Sequence, residues 1–187
     1  MRTAARWEAI ISIPFFVVAL TLLPGAAAEP QTPKPDFSGN WKLNLEKSDN
    51  AVELIRAALG QTGGRGGLQQ QRQTLSSRLN YLAQTAETIE IEQTQKDFKL
   101  FNTEDDVRIY YIDGQKHPRQ SPTGERMTTV TIWRGDLLDL TTEGDEIGKV
   151  SETFGLEGQQ LVHIVRIEND AFDEDLVIRA YYGRAEQ

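Results

Sequence analysis

The strongest constraint on the fold is a succession of short β-prone segments after Glu87. β-Branched and aromatic residues gather there in eight runs: Thr88 to Gln93, Phe98 to Asn102, Val107 to Ile112, Met127 to Trp133, Leu137 to Thr141, Gly148 to Phe154, Gln160 to Ile167 and Leu176 to Tyr182. That is the composition of half-buried strands. Between the runs stand Lys96-Asp97, Asp105-Asp106, Gly135-Asp136, Gly144-Asp145 and Glu157-Gly158, residues suited to tight antiparallel hairpins. Asp113 to Arg126 reads as the one long connection. An earlier segment, Phe37 to Leu45, alternates with Trp41, Leu43 and Leu45 on one face and adds a first strand. About eight or nine antiparallel strands, each joined to its neighbour, leave edges that must be hidden. An up-and-down β-barrel hides them completely, and an open two-sheet sandwich is the alternative.

The sequence changes period between the first strand and the rest. Over residues 49–86, Val52, Ile55, Ala58 and Leu59 share one helical side opposite Glu53 and Arg56, behind a cap pattern Asn50-x-x-Glu53. The helix stops at Gly60, and Gly63, Gly64, Gly66 and Gly67 form a joint that disfavours regular structure. Leu68, Leu75, Leu79 and Leu82 mark a second amphipathic helix. Leu75, Leu79 and Leu82 need apolar cover, which makes this insert either a lid over a barrel mouth or a hairpin packed permanently on the wall. The glycine joint carries no lysine followed by serine or threonine, so it is not a phosphate loop.

Residues 1–28 have the zones of a secretory signal: Arg2 and Arg6, the apolar run Ala9 to Leu23, then Ala26, Ala27 and Ala28. Cleavage is expected after Ala28. The apolar run contains Ser12, Pro14 and Thr21 and falls short of the roughly 20 residues of a membrane-spanning helix. No stable span is therefore expected after cleavage, and the mature chain is expected in the periplasm or outside the cell. Residues 29–35 hold Pro30, Pro33 and Pro35 and read as a stiff tether, with one domain over 36–187. The chain has no cysteine, so its stability must come from an apolar core. Its formal net charge is −8, which opposes binding to nucleic acid or anionic lipid surfaces. Loss of Arg2, Arg6 and Glu8 with the leader makes the balance more acidic still.

The segment Gly39-Asn40-Trp41-Lys42-Leu43-Asn44 opens the first strand with a Gly-x-Trp. It resembles the start of lipocalin and calycin barrels. A closer likeness, to lipocalin-like exported bacterial proteins of unknown function, extends over Lys47-Ser48-Asp49, the Gly-rich insert, Glu87 to Ile91, Trp133 to Leu137, Glu152-Thr153-Phe154 and Arg179 to Tyr182. The resemblance implies that Trp41 closes one end of the barrel under a late arginine, for which Arg179 and Arg184 are the candidates. The chain departs from ordinary lipocalins in its helical segment after the first strand and in lacking disulfides.

Trp41, Tyr110, Tyr111, Trp133, Phe154 and Tyr181 are candidates to line an apolar pocket, or simply to fill the interior. Strand parity groups Met127, Thr129, Thr131 and Trp133 against Thr128, Val130 and Ile132 without saying which face is inner. His163, flanked by Val162 and Ile164, is a further candidate lining residue, with no recognisable nucleophile for it to serve as base. His117 lies in the long connection, and no second histidine or cysteine stands at metal-ligand spacing. The acidic stretch Glu168, Asp170, Asp173, Glu174 and Asp175 lacks the spacing of a calcium loop. No cofactor or metal is implied. The first reading is a non-catalytic exported barrel binding a small, largely apolar ligand. The alternative is an envelope module that docks a protein partner through its helical insert, and an enzyme using the barrel interior is the third.

Overall fold

The computed structural model describes residues 33–61, 69–83, 85–103, 106–121 and 124–185. The signal, most of the tether and the glycines from Gly63 to Gly67 lie outside the described residues. Strand β1 (Gly39–Leu43) is followed by α1 (Ala51–Gln61) and α2 (Gln69–Leu82). Then come β2 (Thr88–Gln93), β3 (Asp97–Thr103), β4 (Asp106–Tyr111), β5 (His117–Gln120), β6 (Arg126–Arg134), β7 (Leu137–Gly144), β8 (Gly148–Glu157), β9 (Gln160–Glu168) and β10 (Leu176–Arg184). All pairings are antiparallel, in the order β4-β3-β2-β1-β10-β9-β8-β7-β6-β5. The result is an up-and-down, nearly closed barrel of ten strands with two helices between the first and second.

Strand β5 lies inside the stretch that sequence reasoning left as a long connection. Its four residues include Pro118, which breaks the strand signature in sequence, yet β5 pairs with β6 alone. An edge strand tolerates a residue without an amide donor. The sheet's two free edges, β4 and β5, are consecutive in the chain, and beside them the Gly114 amide donates to Thr131 O on β6 at 3.2 Å.

Strand parity resolves the interior. Met127, Thr129 and Thr131 are buried while Ile132 is exposed, so the odd positions of β6 face inward. The buried interior forms two apolar clusters, one around Phe37, Trp41, Phe98, Phe154 and Tyr182, the other around Met127, Val150, Val165 and Ile178 beneath the helices. In α1 the buried positions are Ala51, Ile55 and Leu59, an i, i+4, i+8 stripe, with Asn50 Oδ1 accepting the Glu53 amide at 3.2 Å. Val52, expected on the apolar side, is exposed, because that stripe is centred one residue earlier. In α2, Leu79 and Leu82 are buried in the helix-side cluster and Leu75 is half-buried against it.

The Gly-x-Trp has a physical cause. Trp41 is buried, its Nε1 donates to Phe37 O at 2.8 Å, and the Arg184 guanidinium lies over its ring at 3.9 Å. Gly39 has φ of 123°, and a Cβ there would collide with Arg184 Nη1. The glycine is what lets the arginine reach the indole. Arg179, the other candidate, points outward and is exposed. Trp41→Ala is expected to cost about 3–5 kcal/mol. Arg184→Ala should cost about 0.5–1 kcal/mol and Arg179→Ala within about 0.5 kcal/mol, all read from the midpoint and slope of urea unfolding. Equal losses for the two arginines would refute this division of roles.

Candidate functional site

Read along the inward positions, the strands place the barrel interior in layers. On β8 the sequence is Val150, Glu152, Phe154; on β9 it is Leu161, His163, Val165; on β6 it is Met127, Thr129, Thr131, Trp133. In each case polar residues separate the helix-side cluster from the aromatic one. The aromatic end is a continuous series: Trp133 against Phe37 (5.7 Å between centroids), Phe98 against Phe154 (4.9 Å), and Phe154 stacked on His163 (4.2 Å, 8° between planes).

The polar layer holds Arg108 and Tyr110 from β4, Arg119 from β5, Glu152 from β8 and His163 from β9. Glu152 and His163 are almost fully buried, and His163 Nε2 lies 3.1 Å from Glu152 Oε2. Burial alone would raise the Glu152 carboxyl, but the His163 hydrogen bond and the charges of His163, Arg108 and Arg119 outweigh it and hold the group below the ordinary carboxylate value. Burial, and then the Glu152 charge, raise the Tyr110 phenol, which therefore stays a neutral donor. The Arg119 guanidinium lies over the Tyr110 ring, 4.5 Å from its centroid.

Arg108 links this layer to the helices. Its guanidinium donates to the main-chain oxygens of Tyr81 and, at 3.4 Å, of Leu82, stands 4.3 Å from the centroid of the Tyr81 ring, and approaches Asp106 to 3.5 Å. A cation at the carbonyl end of a helix satisfies orphan acceptors and opposes the dipole there. A second tie is Arg78 of α2, paired with Glu146 and 3.5 Å from Glu125; Glu125 Oε1 accepts the amides of Glu146 and Ile147 at 2.8 and 3.2 Å. Arg78 thereby fastens α2 to the β7–β8 turn.

Not every polar atom of the layer is partnered. Among the described residues, Arg108 Nε, Tyr110 Oη, Arg119 Nη1 and Glu152 Oε1 are buried with no hydrogen-bond partner. Burying such atoms unpaired is unfavourable by about 1–3 kcal/mol each. Arg119 also lines an open recess of about 810 Å³ at the barrel rim, together with Arg126, Met127, Thr128, Glu143 and Gly144. That is the size range of small-molecule sites.

Of the expected lining residues, Trp41, Tyr110, Phe154 and His163 face inward and are buried, and Trp133 is half-buried at the aromatic end. Tyr181 faces outward; Tyr182 holds the interior position. Tyr111 is also outward, 48 % exposed, against the His117 ring. His117 stands on β5, its Nε2 3.0 Å from the Asp113 carboxylate. Sequence reasoning missed Arg108, Arg119 and Glu152. The available signal was parity on β4, where accepting Tyr110 as inward places Arg108 beside it.

Several solved structures share this barrel fold. The fatty acid transporter REP1-NXSQ superposes with a TM-score of 0.52 at 18% identity, over 80% of this chain and 96% of that one. Lipid binding protein 8 of Caenorhabditis elegans gives 0.52 at 18%, covering 80% and 95%. The chain has a calycin-type barrel. Zebrafish ileal bile acid-binding protein, complexed with cholic acid, gives 0.50 at 14%, covering 80% and 98%. At these identities the likeness concerns the fold alone. No family profile matches the sequence, and no curated protein matches it.

The Glu152 shift sets a pH dependence. Its folded value lies below the ordinary carboxylate value of 4.5, so its contribution to stability is complete above that pH and is lost as pH falls through the folded value. Urea midpoints measured from about pH 6 down to about pH 3 should fall on acidification, and Glu152→Gln should make that fall shallower. An unchanged slope in Glu152→Gln would show that the buried carboxylate is not among the groups titrating.

Proposed function

We propose that the protein is an exported, non-catalytic calycin-type barrel that holds a small, largely apolar molecule in its interior, with α1 and α2 framing the entrance. The observation that carries this reading is the layer of buried polar atoms without partners between two apolar clusters, with Arg119 shared between that layer and the open recess beside β5. An apolar space with a few convergent polar groups is the usual form of a ligand site. The fold is shared with proteins described as a fatty acid transporter and a lipid binding protein, which supports a carrier role. Trp41, Tyr110, Trp133, Phe154 and His163 would shape the apolar part of the site, and Leu75, Leu79 and Leu82 would hold the lid to it. Docking of a partner through the stripe on α2 is disfavoured, because Leu79 and Leu82 are covered by the barrel. Export rests on the leader sequence, and its product would begin at Glu29 in the periplasm or outside the cell.

Purification from the native host followed by organic extraction and mass spectrometry tests both parts. The expected result is a mature chain whose mass starts at Glu29, carrying an apolar small molecule. An intact chain from Met1 would defeat the export reading. A protein that comes out empty and takes up no dansyl-labelled alkyl chain would defeat the carrier reading.

A further inference from the structure

The open recess of about 810 Å³ beside β5 lies across three strands and carries charge of both signs. Its lining includes Arg119 from β5, Arg126 from β6, Glu143 from β7 and Asp145 from the turn that follows β7. Two guanidiniums therefore share one concave space with two carboxylates. The signs are segregated by strand, with both cations on β5 and β6 and both carboxylates on β7 or just past it. Register keeps them so, because Arg126 stands opposite Gln120 on β5 and Thr128 stands opposite Glu143 on β7, and adjacent strands lie about 4.8 Å apart. The recess is thus dipolar, positive toward the sheet edge and negative toward β7.

These charges are not spent on one another. Among the described residues, Arg119, Arg126 and Asp145 make no ion pair, and Glu143 meets Lys116 alone, at 3.4 Å. Both side chains of that pair are more than half exposed, so it holds Glu143 weakly. Arg126 and Asp145 are exposed and free to meet a ligand, while Arg119 is positioned by the Tyr110 ring, 4.5 Å from its guanidinium. Apolar surface stands beside the charges: Pro118 and the buried Met127 of the helix-side cluster also line the recess. A concave site walled in this way focuses the field of its charges. A simple anion drawn to the guanidiniums meets Glu143 and Asp145, and a simple cation drawn to the carboxylates meets Arg119 and Arg126. A molecule that carries both charges satisfies both sides at once.

From this arrangement we infer that the recess beside β5 binds a zwitterionic group, its anionic part against Arg119 and Arg126 and its cationic part toward Glu143 and Asp145. A phosphocholine-type group, whose two charges are a few bonds apart, has this chemistry, whether free or as the head of a lipid. The site stands apart from the carrier reading, since it needs the open recess and no guest in the barrel interior.

The test is titration of the mature chain with phosphocholine, inorganic phosphate, choline, and dodecylphosphocholine below its micelle threshold, at low ionic strength, followed by the NMR shifts of backbone amides. Phosphocholine should bind roughly tenfold or more tightly than phosphate or choline alone, and it should shift the amides of Arg119, Arg126 and Asp145. Asp145→Asn should remove the advantage over phosphate without weakening phosphate itself, and Arg126→Gln should weaken both. The two side chains are exposed, so neither change threatens the fold. Dodecylphosphocholine binding tighter than phosphocholine by roughly tenfold or more at the same amides assigns the site to a lipid head group, and equal binding assigns it to a soluble zwitterion. Phosphate or choline binding as tightly as phosphocholine overturns the inference, as does an absence of shifts at the recess. Neither result bears on the carrier reading, which the dansyl-labelled alkyl chain tests separately.

Discussion

The barrel depends on β1, a strand of five residues hydrogen-bonded on both sides. It lies between β2 and β10 and so joins the two parts of a sheet whose other neighbours are all consecutive in sequence. Without it β2 and β10 would be two further open edges. Its central residue, Trp41, is buried under Arg184, so the strand that closes the sheet also plugs one end. The same short segment positions the helices at the opposite end. Just past β1, Asn44 O accepts the amides of Lys47 and Ser48, Ser48 Oγ receives the Tyr181 amide at 2.9 Å, and Asp49 Oδ2 receives the Arg179 amide at 2.8 Å. The chain is thus fixed to β10 immediately before α1 begins.

Covering the other end with helices creates an electrostatic problem that the polar layer resolves. Once Leu79 and Leu82 pack over the interior, the charges beneath them are removed from water and need partners. Arg108 finds several, and they belong to the helix itself: the last carbonyls of α2 and the Tyr81 ring. The guanidinium therefore serves the helix end and the charge layer at once. Lifting α2 would strip Arg108 of those acceptors while Arg78 lost its contacts with Glu125 and Glu146. The position of the helices is set by the polar ties of two buried arginines, Arg78 and Arg108, as well as by apolar packing.

The fold was largely legible in the sequence, and the site was not. Strand runs announced themselves through β-branched and aromatic residues, and the insert through its change of period. Gly39 and Trp41 were legible because a backbone conformation and a buried ring each demand one residue type. Strand β5 was not, because Pro118 and three polar neighbours carry no strand signature. Strand β4 was misleading in a more instructive way. Its apolar residues Val107, Ile109 and Tyr111 face outward, 42, 45 and 48 % exposed, while Arg108 and Tyr110 face inward. Hydrophobic alternation assigns the interior to the apolar parity, and here tertiary context reverses it. Glu152 was concealed by Ser151 and Thr153, which make its segment of β8 look solvated from the sequence alone.

That reversal places charged and polar side chains inside the barrel. The fold is shared at 14–18% identity with proteins described as a fatty acid transporter, a lipid binding protein and a bile acid-binding protein. The interior polar side chains of this chain divide between two kinds of strand. Glu152 and His163 stand on β8 and β9, each paired on both sides and fixed to one another. Arg108, Tyr110 and Arg119 stand on β4 and β5, the two sheet edges, each paired on one side only. The carboxylate therefore stands on strands paired on both sides, and the two guanidiniums and the phenol on the sheet's edges.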